Sequence, residues 1–195
     1  MTSPRILVLA GSTRSGSFNS RLAALAAKEL TRLNAEVTLI SLADYPMPIY
    51  NGDEEVASGP PQHAVALKRM IAAHAGVFIA SPEYNASMTP LLKNSLDWVS
   101  RVREGREPPL AAYRDRVFAL GAASNGTLGG MRSLIALRQM LELGCGALVL
   151  PEQIAVREAA DAFDEADNLK DERSARLMTS VARRLVDTAQ RLAQP

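Results

Sequence analysis

Five short apolar runs punctuate the chain: Arg5–Ala10, Glu36–Ser41, Gly76–Ser81, Arg116–Gly121 and Ala147–Pro151. Within them the apolar residues follow one another almost unbroken, with little alternation. That is how strands buried on both faces of a parallel sheet read. The stretches between them carry a helical period. From Ser20 to Leu33, residues Leu22, Leu25, Ala26, Leu30 and Leu33 fall on one face. Pro60-Pro61 opens a second helix with Leu67, Met70 and Ile71. Thr89-Pro90 is a cap-and-first-turn pair ahead of Leu92, Leu96, Val99 and Val102. A fourth helix reads from Leu128 to Leu143, with Gly144 as its C-terminal cap. The last spans about Leu169 to Leu192, striped by Met178, Val181, Ala182, Leu185, Ala189 and Leu192. Asp44–Gly59 and Gly105–Pro109 read as surface loops, and Asp161–Arg173 as a solvated loop and helix start. Strands alternating with helices predict an α/β fold with helices on both faces of the sheet.

Composition narrows the class. A chain of 195 residues fits one domain spanning 1–195. With 47% hydrophobic and 22% charged residues it can bury an ordinary core. A formal net charge of +1 gives no electrostatic reason to expect nucleic acid or an anionic membrane as partner. The one cysteine, Cys145, rules out an internal disulfide. No targeting signal and no membrane-spanning run is evident, which places the protein in the cytoplasm by default.

In an open parallel sheet, ligands bind beyond the carboxyl ends of the strands, at the switch point of strand order. Three loops occupy such positions. The first, Gly11–Asn19, joins a buried strand to a helix whose first N–H groups lack partners. Ser12, Thr13, Ser15, Ser17 and Asn19 add polar side chains there, and Arg14 adds a forked cation, together making a phosphate cradle. The spacing Gly11-x-x-x-x-Gly16 is that of a P-loop, yet Ser17 and Phe18 stand where Lys and Ser/Thr are required. The dinucleotide pattern G-x-G-x-x-G is missing as well. A terminal monophosphate fits better than ATP. The second loop, Ser81–Ser87, offers Tyr84 as a flat face and Asn85 as donor and acceptor. The third, Ala123–Gly130, contains three glycines that permit close backbone approach to a ligand.

Gly11-Ser-x-Arg14-x-x-Ser17-x-Asn19, Pro82-Glu-Tyr-Asn85-x-Ser87 and Leu92-Lys-Asn-x-Leu-Asp-Trp98 together resemble the NADPH-dependent FMN reductases, a family that includes quinone, azo-dye and chromate reductases. The resemblance implies a flavodoxin-like fold with a five-stranded sheet of order 2-1-3-4-5. It implies FMN phosphate at Ser12, Arg14, Ser17, Phe18 and Asn19. The flavin ring would lie beside Pro82, Glu83, Tyr84 and Asn85, with Ser87 nearby and Ser124 and Gly126 closing its other side. NADPH (or NADH) would deliver hydride to FMN, which would pass it to a small acceptor: a flavin, quinone, azo compound or metal oxyanion. It further implies a homodimer or homotetramer, with the helix bearing Asp97-Trp98 near an interface. Ala86 stands where family members often carry Gly.

The competing reading is a one-electron flavodoxin-type carrier or regulatory module. Such carriers commonly clamp the ring between aromatics, and Tyr84 is the one obvious candidate here. No catalytic side chain is named, because solvent can supply protons. No His/Cys/carboxylate cluster has metal-ligand spacing. His63 and His74 read as surface or capping residues, and Cys145 as a packed thiol.

Overall fold

A computed structural model describes residues 3–193. Five parallel strands form one sheet: β1 (Arg5–Ala10), β2 (Glu36–Ser41), β3 (Gly76–Ala80), β4 (Val117–Ala123) and β5 (Leu148–Val156). Their order is β2-β1-β3-β4-β5, as expected for a flavodoxin-like fold. The helices are α1 (Phe18–Arg32), α2 (Gly52–Ser58), α3 (Gln62–Ala72), α4 (Pro90–Arg101), α5 (Met131–Gln139) and α6 (Glu172–Leu192).

Alternate residues of each strand face opposite layers. Ile6, Val8 and Ala10 of β1 pack beneath α1 and α6, with Leu22, Leu30, Val181 and Leu185. Leu7 and Leu9 point the other way, toward Leu67 and Ile71 of α3, Leu92 and Leu96 of α4, and Leu134 and Leu137 of α5. Both faces of the central strands are therefore buried, which is why their sequences read as continuous apolar runs. The chain leaves β1 toward β2 on one side and leaves β3 toward β4 on the other, so a crevice opens beyond the ends of these neighbouring strands. No helix among the described residues is long and apolar enough to cross a membrane.

Four details differ from the periodicity. The expected loop 44–59 contains α2, capped by the Asn51 side chain, which accepts from Asp53 N, and led by Asp53, Glu54 and Glu55. Acidic residues at a helix start suit its dipole, but α2 buries no residue, so it left no apolar stripe to read. Strand β5 runs on past Pro151, where its pairing with β4 shifts between Phe118 and Leu120. Proline is tolerated there because β5 is an edge strand with an irregularity at that point. Helix α5 starts at Met131, after left-handed Gly129 and Gly130, and ends in one wide turn over Met140–Gly144. The left-handed residue after that turn is Gly146 (φ 65°), not Gly144.

Candidate functional site

The loop after β1 forms a cup at the N-terminus of α1. Gly11 N bonds Ala80 O, which anchors the loop to the neighbouring strand. Among the described residues, the amides of Ser12, Thr13, Ser15 and Gly16 find no backbone acceptor. Arg21 N, bonding Ser17 O, is the first amide of α1 with a helical partner, so those of Phe18, Asn19 and Ser20 are free of one. Ser17 is the N-cap residue and is buried, yet its hydroxyl makes no capping bond. By contrast, α2, α4 and α6 are capped by the side chains of Asn51, Thr89 and Asp171. Arg14 curls over the cup, donating to Ser15 O and Gly16 O at 3.3 Å each, with its guanidinium 5.8 Å from the Phe18 ring centre.

Two further loops close on this cup. A cleft of about 250 Å³ is lined by Ser12, Arg14, Ser17, Phe18 and Asn19 from the first, Pro82, Glu83 and Tyr84 from the second, and Ala123, Ser124 and Asn125 from the third. Nine of the residues singled out in the sequence therefore meet there. Asn85, Ser87 and Gly126 do not line it. Asn85 and Ala86 form the tip of a tight turn closed by reciprocal bonds between Tyr84 and Ser87 of 2.9 and 3.0 Å. Gly126 N bonds Ser124 Oγ at 3.2 Å.

Two side chains in the cleft are committed to the chain itself. Asn19 Nδ2 donates to Ala123 O at 2.8 Å, and its Oδ1 accepts from Ala123 N at 2.9 Å. Asn19 therefore latches the cup to the end of β4, and what it offers the cup is its backbone N–H. The Glu83 carboxylate accepts from Arg132 N at 3.1 Å and Arg132 Nε at 2.7 Å, with Arg132 Nη2 closing the pair. Glu83 thereby caps α5 and ties the second loop to the third. Periodicity gives no sign of either link, since the partners lie 104 and 49 residues away. Three other fasteners escape sequence reading: Thr89 Oγ1 donates to Gly11 O (2.7 Å), Ser133 Oγ to Ser81 O (3.1 Å), and Ala160 N to Asn125 Oδ1 (2.9 Å).

Two of the third loop's glycines, Gly129 and Gly130, are required by the fold. A Cβ at Gly130 (φ 88°) would lie 2.7 Å from Ala122 Cβ, and one at Gly129 (φ 62°) would lie 2.9 Å from the backbone of Val156. In the second loop, Asn85 (φ 49°) and Ala86 (φ 64°) are consecutive left-handed residues. That backbone disfavours alanine by roughly 1–2 kcal/mol, whereas glycine adopts it freely. Ala86→Gly is expected to stabilise the fold by about 0.5–1 kcal/mol after glycine's entropy cost. Thermal unfolding checks this, and a lowered midpoint would contradict it.

Other candidates lie elsewhere. Trp98 is packed inside the chain, 1% exposed, donating from Nε1 to Pro48 O at 2.8 Å. Of the pair Asp97-Trp98, only Asp97 remains near the surface, bound to Lys93 at 2.7 Å. His74 is buried at the end of α3, between Met70 O (2.7 Å) and Thr38 Oγ1 (2.9 Å), and burial lowers its pKa. It caps the helix, as one of its two expected roles. Burial pushes the Cys145 thiol up to about 11, consistent with a packed, unreactive group.

Comparison with known proteins agrees with this geometry. Residues 4–161 match the family model for NADPH-dependent FMN reductase. The chain is 36% identical over 176 residues to an NAD(P)H-dependent FMN reductase of Pseudomonas aeruginosa, covering 89% of each. It is 36% identical over 138 residues to a quinone reductase of Escherichia coli K12, covering 70% of this chain and 69% of that one. The fold is shared with the flavoenzyme NAD(P)H:(acceptor) oxidoreductase FerB from Paracoccus denitrificans, with a TM-score of 0.78 and 24% identity over 96% of this chain and 98% of that one. A cup of unpartnered amides, facing a Pro-Glu-Tyr-Asn turn across the switch point of a 2-1-3-4-5 sheet, thus coincides with the matched span, and the chain belongs to the NADPH-dependent FMN reductase family.

Proposed function

We propose that this protein is an NAD(P)H-dependent reductase that holds FMN in the cleft between the three loops and delivers reducing equivalents to a small acceptor such as a quinone, flavin, azo compound or metal oxyanion. The observation that carries this reading is the uncapped start of α1. A buried N-cap serine with an unengaged hydroxyl, beside amides that find no backbone acceptor, presents hydrogen-bond donors to an anion at the positive end of a helix. The donor set suits a monophosphate, because it has hydrogen-bond donors and one guanidinium but no lysine or metal ligand at the P-loop positions.

FMN, when bound, supplies a ring that accepts hydride from a nicotinamide and passes it on. The chain's part is to bind and orient. The backbone amides of Phe18 and Asn19, the hydroxyls of Ser12 and Ser17, and Arg14 would hold the phosphate. Pro82 and Tyr84 would flank the ring. Glu83, bound to Arg132, fixes the wall on that side without needing to touch the ligand. Tyr84 is 55% exposed, which leaves room above the ring for donor and acceptor to take turns at one face. That openness favours turnover over a carrier that clamps its flavin between aromatics. We further assign the protein to the cytoplasm, where a buried reduced thiol at Cys145 is at home, and to a homodimer or homotetramer. Ile49 (75% exposed) and Val56 (90% exposed) beside α4 supply apolar surface for such an assembly.

The test is spectroscopic. The purified protein, reconstituted with FMN, should be yellow and should bleach on anaerobic addition of NADPH or NADH; a chain that takes up no flavin would end the proposal. Arg14→Ala should weaken FMN binding by about 1.5–3 kcal/mol if the guanidinium makes a charged hydrogen bond to phosphate. Fluorescence titration with FMN measures it, and an unchanged affinity would reject the assignment of Arg14.

A further inference from the structure

Among the described residues, eleven line the cleft, and Glu83 is the one carboxylate in that lining. Arg14 is the one other charged side chain there, and it belongs to the cup at the start of α1. Glu83 comes from the loop after β3, between Pro82 and Tyr84. Its side chain is 9% exposed, against 54% for that of Arg132. Both of its oxygens are engaged by Arg132, which does not line the cleft. Oε1 accepts from Arg132 Nε at 2.7 Å and also from Nη2, and Oε2 accepts from Arg132 N at 3.1 Å. Arg132 is the second residue of α5, so Glu83 also faces the positive end of that helix. A tether between loops needs no charge: Asn19 joins the cup to the end of β4 through a neutral amide. The tether in the wall beside Pro82 and Tyr84 is instead a carboxylate masked by a guanidinium.

We propose that Arg132 is a positioning residue for flavin reduction: by holding and offsetting the Glu83 carboxylate, it sets how readily FMN in the cleft accepts hydride. The inference rests on the FMN site proposed above and adds to it a residue outside the cleft lining. Hydride uptake brings two electrons and one proton onto the ring, which therefore carries one more negative charge until a second proton follows. A bare carboxylate in the adjoining wall, largely screened from water, would oppose that charge. Paired with a guanidinium and with the start of α5, the wall presents little net charge, and the opposition falls. Arg14, in the cup, would face a phosphate whose charge does not change on reduction, so it cannot substitute for Arg132. Loss of Arg132 alone leaves the wall negative, and loss of the Glu83 charge alone leaves it positive. The two changes should therefore push flavin reduction in opposite directions. A mere tether would respond alike to the loss of either end. With both charges gone the tether stays broken, yet the wall is as neutral as in the wild type.

The test is the midpoint potential of the FMN-loaded protein, measured by anaerobic titration with dithionite against a dye of known potential, so that no nicotinamide is needed. Arg132→Gln should lower the potential and Glu83→Gln should raise it. Each should change the ratio of affinities for reduced and oxidised FMN by roughly three- to tenfold, about 15–30 mV for a two-electron couple. Glu83→Gln/Arg132→Gln should return close to wild type, and Arg132→Lys, which keeps the charge, should depart from it little. Glutamine matches the shape of Glu83, and the Arg132 side chain is mostly exposed, so these changes leave the core untouched. Circular dichroism establishes that each variant folds, and Arg132→Met repeats the first measurement with a different replacement. In a flavin-loaded protein, single variants that move the potential in the same direction, or not at all, would overturn the inference and leave the reductase reading intact. A double variant that keeps the shift of either single would do the same. Opposite shifts in a protein whose flavin neither NADPH nor NADH bleaches would uphold the role of Arg132 and sink the reductase reading. A chain that takes up no FMN would overturn both.

Discussion

Asn19→Leu is expected to cost about 2–5 kcal/mol of folding stability and to lower FMN binding at the proposed cleft. The leucine fills a similar volume, so the loss is not one of packing. It comes from Ala123, whose buried N–H and C=O both pair with the Asn19 side chain, at 2.9 and 2.8 Å. An unsatisfied buried polar group costs roughly 1–3 kcal/mol, and here two are orphaned together. The same substitution frees the last residue of β4 from the first turn of α1, so the cup and the third loop lose their shared anchor. Urea unfolding should show a lower midpoint, and the purified variant should carry less FMN per chain than wild type. A variant with wild-type stability and full flavin content would show that Asn19 is not the latch described here.

Trp98→Ala should be more damaging to the fold, at about 3–5 kcal/mol, the usual cost of removing a large buried aromatic. Trp98 fastens the crossing between β2 and α3 to the body of the protein. Its Nε1 donates to Pro48 O, and its ring meets Tyr50 edge-on at a centroid distance of 5.0 Å. Tyr50 N in turn donates to Asn94 Oδ1, and Glu55 holds both Tyr50 Oη and Arg101. Without the indole, residues 45–58 should become susceptible to limited proteolysis while the sheet persists in a less stable fold. Trp98→Phe keeps most of the volume and removes the hydrogen bond, so it should cost only about 0.5–1.5 kcal/mol. If the two variants proved equally mild, Trp98 would not be a fastener.

The sheet was legible from the sequence because burial on two faces leaves an unmistakable mark: strands such as Leu7–Ala10 and Val77–Ala80 have no polar position to spend. The cup after β1 was legible for a different reason, since Ser12, Arg14 and Ser17 lie close together in one short segment and their chemistry is local. What could not be read was every role that depends on a distant partner. Glu83 and Asn19 both line the cleft, but nothing in the sequence reveals that their side chains bind Arg132 and Ala123. The bond from Trp98 to the carbonyl of Pro48 is another that no pattern predicts. Helix α2 escaped because it rests on a cap and three acidic residues rather than on an apolar face.

Pro151 has a bearing on solubility that its place in β5 makes plain. At nine residues, β5 is longer than the other strands, and it forms one margin of the sheet. A long, flat margin with open amides invites another chain to add itself in register, the first step toward fibres. Proline has no amide hydrogen to offer, and the irregularity beside it divides the strand's pairing into two short lengths, Leu148–Val149 and Gln153–Val156. Either length is a poor template, so the protein keeps its most extended border while denying it to strangers.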